Sequence, residues 1–248
     1  MRLKLISCEV FCREIYKELL ESPNTVFPVF TQKMSHVNPA EMRDFIQHEI
    51  NNTECFDYIL LGYGLCGNAI NEIYAKDIPL VIPRAHDCCT ILLGSKETYK
   101  THFAHRPSCR WTSGGYMESG DMSLRENESH IYYCTNFSYK ELVEKYGEEN
   151  ALFIIESLTP KDNDENKVIY IQTPPYESIN YKEKAEKEAL NKGCEFELID
   201  GDIRLLHMLI NGIWPEEEFL IVPPGYRVEA VYDQDQVIKA VPDLKADA

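Results

Sequence analysis

The stretch Phe56-Asp-Tyr-Ile-Leu-Leu61-Gly-Tyr-Gly-Leu-Cys66-Gly-Asn68 decides the fold. Its first half, 56–61, is a short apolar run with the length of a buried strand. Its second half carries Gly62, Gly64 and Gly67, the punctuation of a tight turn, and is expected to open a helix ending near residue 76. Upstream, Arg2–Cys8 reads as a first apolar strand, and 9–21 as a helix on the spacing of Val10, Ile15, Leu19 and Leu20. A strand follows at 25–31, which Pro28 weakens or places near an edge. Asn38 as N-cap and Pro39 at the first helical position open a helix to about residue 51. Downstream, 78–82 is a strand closed by Pro83-Arg-Ala-His-Asp-Cys88, and a helix is expected from about Thr90. Strands separated by helices at this spacing imply βαβ units and a mostly parallel sheet. Right-handed crossovers then bring the C-terminal ends of the strands to one edge.

Residues 106–136 break the rhythm with Pro107, Gly114-Gly115, Gly120 and clustered aromatics. They are expected to form an irregular crossing segment. From Ser138 the alternation returns. Helices are expected at 139–146 and 149–157, a strand at 168–171, a charged helix at 181–192, a strand at 196–199, a helix at 202–211 and a strand at 219–222. Two of these strands run into diprolines, Pro174-Pro175 and Pro223-Pro224, a hint of an internal repeat. The last dozen residues read as a frayed end. The expected architecture is α/β: two Rossmann-like lobes with mostly parallel sheets, 1–105 carrying a cysteine site and 137–248 forming the second lobe, joined by 106–136.

The chain has 248 residues, 41 acidic against 25 basic side chains, and a formal net charge of −16. This length can bury a sizeable core. No basic stripe exists to release counterions, so nucleic acid and anionic membranes are not expected partners. No apolar run approaches the roughly 20 residues of a membrane span. The first residues lack the long apolar stretch of a secretory leader, so a cytoplasmic setting is expected. Nine cysteines in such a setting point to metal binding, redox or nucleophilic chemistry, or plain burial, rather than to a disulfide framework.

Cys8, Cys66 and Cys88 occupy equivalent places, each at or just after the end of a predicted strand. Open α/β sheets place ligand sites at that edge. With strands about 4.8 Å apart, thiols on neighbouring strands fall within reach of one metal ion or a small cluster. A helix N-terminus beside each would favour thiolate. Three protein ligands leave a coordination position open, as in reactive metal sites. Zinc and a [4Fe-4S] cluster both accept thiolate, and the sequence does not separate them. His86 is read as a proton carrier or further ligand, Arg84 as a clamp for an anionic substrate, and Asp87 as their neighbour in the site. Ion pairing or a supporting role is an equal reading for each. His36 is a lesser candidate. Cys12, Cys55, Cys109, Cys134 and Cys194 are read as packing residues, and Cys88 is preferred to Cys89 as ligand. The stretch from Trp111 to Tyr116 is read as a lid over the sheet edge or an aromatic plug. Gly62, Gly64 and Gly67, with Asn68, form a GxGxxG loop that would cradle a dinucleotide. It follows the third strand, however, and lacks the acidic residue about twenty positions on that such sites use. A tight turn needing glycine is the competing reading.

Six stretches together resemble a known family: Ile-Ser-Cys-Glu-Val-Phe at 6–11, Leu-Leu-Gly-Tyr-Gly-Leu-Cys-Gly-Asn at 60–68, Ile-Pro-Arg-Ala-His-Asp-Cys at 82–88, Leu-Leu-Gly-Ser at 92–95, Gly-Asp-Ile-Arg-Leu-Leu at 201–206 and Phe-Leu-Ile-Val-Pro-Pro-Gly at 219–225. The family is a bacterial and archaeal domain of unknown function, found in anaerobes and methanogens and often encoded near corrinoid-dependent methyltransferases. The resemblance implies that Cys8, Cys66 and Cys88 belong to the family pattern, with Cys89 where an apolar residue is usual. It supplies a setting in one-carbon metabolism but no activity. Three functions follow as expectations. The first is a metal- or iron–sulfur-dependent enzyme acting on a small metabolite. The second is a metal-carrying accessory or chaperone of corrinoid methyltransferases. The third is a nucleotide-binding α/β protein.

Overall fold

The computed structural model of the protein describes residues 1–32, 39–66, 68–105, 109–119, 139–158, 167–231 and 236–243. Strand β1 (Arg2–Cys8) fully buries Leu3, Leu5, Ile6 and Cys8. Strands β3 (Tyr58–Gly62) and β4 (Leu80–Pro83) are buried at nearly every position. Burial on both faces is what a continuous apolar run such as Ile59-Leu-Leu61 demands of a central strand. With β2 (Thr25–Thr31) and β8 (Phe219–Val222) they form a sheet of order β2-β1-β3-β4-β8. The first four strands are parallel and β8 runs antiparallel to β4. Strand β2 lies at the edge, where Pro28 forfeits no ladder bond on the open side.

A 3-10 turn (Glu9–Phe11) leads from β1 into α1 (Cys12–Glu21). Helix α2 (Pro39–Asn51) buries Met42, Ile46 and Ile50, one residue per helical turn. Helices α3 (Cys88–Leu92) and α4 (Lys96–Phe103) follow β4, capped by the side chains of Asp87 and Ser95. A second parallel sheet joins β5 (Arg110–Ser113), β6 (Lys167–Gln172) and β7 (Glu195–Asp200) in that order. Helix α5 (Gly114–Glu118) follows β5, and α6 (Tyr139–Tyr146) and α7 (Glu148–Leu158) precede β6. Helix α8 (Tyr181–Asn191) precedes β7, and α9 (Arg204–Asn211) follows it. Ile169 and Ile171 of β6 and Ile199 of β7 join the core under the first sheet, while Val168 packs with Ala189 and Cys194 on the other side. That split is the two-residue period of a strand.

Parallel sheets with helices between them are what the strand–helix rhythm implies. The division at residue 105 does not follow the sheets. Helix α9 buries Leu205, Leu206, Leu209 and Ile210 and packs on α1, β3 and β4. Each such side chain stabilises the packing by roughly 1.5–3 kcal/mol. The chain then enters the first sheet as β8. Within the segment read as irregular, residues 110–118 form β5 and α5. The expected helix at 68–76 is replaced by turns, with Asn68 and Glu72 in the left-handed region at φ 69° and 70° and Tyr74 bridged to Arg227. The expected frayed end contains β10 (Ile238–Pro242), which pairs antiparallel with β9 (Tyr226–Ala230). Among the described residues, no helix is long and apolar enough to cross a membrane.

Candidate functional site

Strands β1, β3 and β4 are adjacent, so the segments leaving their C-terminal ends lie side by side. Cys8 is the last residue of β1 and is fully buried. Among the described residues, no helix lies between β3 and β4. The Leu65 amide donates to the Ala85 carbonyl at 2.8 Å and the Cys66 amide to the His86 carbonyl at 3.0 Å, tying this loop to the one after β4. Gly64 makes the approach possible, because a Cβ there would stand 2.6 Å from the backbone of Asp87. Cys66 itself adopts φ 45°. Cys88 begins α3, whose N-cap Asp87 accepts from the Thr90 amide at 2.8 Å and from its hydroxyl at 2.9 Å.

The outcome is a thiol pair: Cys66 Sγ and Cys88 Sγ lie 3.6 Å apart. No disulfide joins them, since an S–S bond is about 2.05 Å. Cys8 acts electrostatically on Cys88, and all three thiols act on the hydroxyls of Tyr63 and Tyr116. The hydrogen bond with Cys66, then burial, holds the Cys88 thiol well above its ordinary range. The helix dipole expected to favour thiolate does not prevail there, since α3 has only five residues and the thiol is desolvated.

Two tyrosines complete the surroundings. Tyr63 is fully buried with its hydroxyl 2.9 Å from that of Thr31, and burial raises its phenol well above the usual value. Tyr116 comes from α5, its ring edge-on to Trp111 at 4.8 Å, and it hydrogen-bonds Cys88. Helix α5 is seated so closely on the turn after β1 that a Cβ at Gly115 would collide with the Val10 carbonyl. The Trp111–Tyr116 stretch thus reaches the sheet edge through its last residue. Tyr63 was legible only as the residue enclosed by Gly62 and Gly64.

The Arg84 guanidinium binds the carbonyls of Glu216, Gln236 and Ile238. It fastens the C-terminal segment to the loop after β4. The Asp87 carboxyl is spent on the helix cap, and burial raises its pKa above the ordinary value. His86 is half-buried, and its carbonyl accepts from the Cys66 amide. A Cβ at Gly62 would strike Ser7, and the carbonyl of exposed Asn68 accepts from Arg43. Gly62 and Gly64 therefore serve close packing, and the described residues 68–76 form turns rather than the helix N-terminus that a dinucleotide pyrophosphate uses. Gly67, His36 and Cys134 lie outside the described residues. Cys89 and Cys109 are buried, Cys55 is exposed, and Cys194 is buried near the Lys192 carbonyl. Cys12 lines a separate cleft of about 550 Å³ with Arg13, Tyr16, Lys17, Glu118 and Pro175. Among the described residues, no three His, Cys, Asp or Glu side chains are already gathered for a metal ion.

A second polar cluster escaped the sequence. Glu14 of α1 is fully buried, its Oε1 accepting from the Thr173 hydroxyl at 2.8 Å, while Oε2 has no hydrogen-bond partner among the described residues. Burial pushes its carboxyl up to about 7, against the opposing pull of the Thr173 hydroxyl. Beside it Arg13 grips Glu118, which also accepts from the Tyr176 hydroxyl at 2.9 Å.

Comparison with curated proteins and with solved structures gives no match. A family model described as a protein of unknown function, DUF1638, matches residues 30–210, a span holding Cys66, Cys88, Tyr63 and Tyr116 but not Cys8. Covering well over half of the sequence, that match shows that the chain belongs to the DUF1638 family.

Proposed function

We propose that the chain is an enzyme that uses Cys66 and Cys88, with Cys8 as third ligand, to hold one thiophilic metal ion and with it a small metabolite. The 3.6 Å between the two sulfurs carries this reading. Two thiolates on one tetrahedral zinc, each about 2.3 Å from the ion, stand about 3.8 Å apart. In a [4Fe-4S] cubane each cysteine serves a different iron, which separates the sulfurs further, so the spacing favours a single ion such as zinc over a cluster. Cys8 has to turn toward the pair for a third bond, and its place at the end of the neighbouring strand supports that role. An ion with an open position would polarise a bound group or lower the pKa of bound water. Half-buried His86 is positioned by its own backbone beside Cys66 and is the residue assigned to proton movement. Tyr116 limits access to Cys88 through its hydrogen bond.

The resemblance adds a setting, methyl transfer on corrinoids in anaerobes, with a methyltransferase protein as partner. In the accessory or chaperone alternative, the same thiolates would pass the ion on.

Elemental analysis of protein purified without oxygen tests the reading. One zinc per chain, resisting brief chelation and lost in Cys66→Ser and Cys88→Ser, is expected. Iron with acid-labile sulfide would move the site to a cluster, rapid loss to a chelator would favour the carrier, and metal content unchanged by Cys66→Ser would end the proposal.

A further inference from the structure

We propose that Cys66 and Cys88 form a reversible dithiol–disulfide couple that exchanges with small organic disulfides. This goes beyond the metal reading and needs only the thiol pair. The sulfurs start 3.6 Å apart, and bond formation needs them to close by about 1.5 Å. Their loops are tied together by the Leu65–Ala85 and Cys66–His86 backbone bonds, so the pair is set before any oxidant arrives. No helix constrains the Cys66 loop, whereas Cys88 is fixed at the start of α3. Closure is therefore a movement of the Cys66 side.

Exposure assigns the order of events. Cys66 is half-buried and Cys88 is only 2% exposed, so a small disulfide meets Cys66 first. The Cys66 thiolate attacks one sulfur of RSSR, its S–S bond breaks, and RSH leaves after taking a proton. Cys88 then attacks Cys66 Sγ, giving up its own proton as the second RSH departs. Two protein thiols are thus oxidised by two electrons, and one small disulfide is reduced to two thiols. Cys89 is no alternative partner: it is fully buried, next in chain to Cys88, and its electrostatic neighbours are Asp87 and Cys109 rather than Cys66. The oxidised form withdraws two thiolates at once, so the couple would switch any metal occupancy of the same site.

The test treats the full chain with hydroxyethyl disulfide, quenches with acid, alkylates, and maps peptides by mass. Wild type should yield a Cys66–Cys88 cross-link that dithiothreitol reverses. Cys88→Ser should stop at a mixed disulfide on Cys66, and Cys66→Ser should leave Cys88 modified at least about tenfold more slowly, because burial limits access to it. Circular dichroism confirms that each variant is folded. Adducts at exposed Cys55 without a Cys66–Cys88 link, or no adduct on Cys66 in folded Cys88→Ser, would overturn the couple. A zinc-loaded arm separates the two proposals. Cross-linking that zinc does not slow retains the couple and counts against the metal site, whereas tight zinc binding in a chain that never cross-links does the reverse.

Discussion

The C-terminal edges of the two parallel sheets make opposite use of the same geometry. At the first, adjacent strands β1, β3 and β4 bring Cys8, Cys66 and Cys88 to one edge, where Cys66 and Cys88 meet and all three act on the hydroxyls of Tyr63 and Tyr116. At the second, β6 delivers Thr173 to a buried carboxyl from α1, and Arg13, Glu118 and Tyr176 bind one another alongside. The second edge satisfies most of its polar groups internally and joins α1 to the second sheet. At the first, Cys66 and Cys88 meet each other, and Arg84 is committed to backbone carbonyls. A sheet edge becomes a candidate for chemistry when nucleophilic side chains converge on it in an environment that perturbs their titration.

The largest expected effect tests the structural character of the second edge. Glu14 titrates at about 7 in the folded chain against an ordinary value near 4.5. The folded state therefore holds the proton more tightly. Its contribution is fully present below pH 4.5 and is lost as pH rises through 7, by about 3 kcal/mol. Urea unfolding of Glu14→Gln across this range should lack that decline. A decline equal to wild type would show that Glu14 is not the group responsible.

Gly64→Ala sharpens the contrast from the other side. Its Cβ would meet the Asp87 backbone, so it should cost about 1–3 kcal/mol of stability and part Cys66 from Cys88, lowering the yield of their cross-link. Undiminished cross-linking would mean that the loop approach does not set the pair. Asp87→Ala removes a helix cap and should cost about 1 kcal/mol by denaturant unfolding. It should leave thiol exchange at Cys66 intact, and a loss of exchange in a stable chain would return Asp87 to the site. Smallest of all, Cys55→Ser should change stability by less than about 0.5 kcal/mol, as an exposed substitution does, and leave metal content untouched.

Much of this fold was written in local pattern. The runs Leu3–Cys8, Ile59–Leu61 and Leu80–Ile82 announced central strands because both their faces are covered, and Pro28 marked an edge. The stretch 68–76 misled because Ala69, Ile70, Ile73 and Ala75 are buried at a nearly helical spacing, yet the segment is held by long-range bonds to β9, with Glu72 and Ala75 amides donating to Val228 and Tyr226. Tertiary partners override propensity in such a segment. The return of β8 to the first sheet was hidden for the same reason, since strand order depends on pairing and not on the strand's own residues. At the site, topology alone placed the three cysteines on one edge. Tyr116 needed α5 to be seated on the turn after β1, and Glu14 needed the packing of α1 against the second sheet, and neither contact has a local sequence mark.

Cobalt(II) titration of the reduced, oxygen-free protein tests the central claim most directly. The expected result is one ion per chain, an intense thiolate-to-metal absorption with tetrahedral cobalt bands, abolished by Cys66→Ser or Cys88→Ser and weakened by Cys8→Ser. Cobalt bound without thiolate absorption, or absorption that survives both Cys66→Ser and Cys88→Ser, would contradict it.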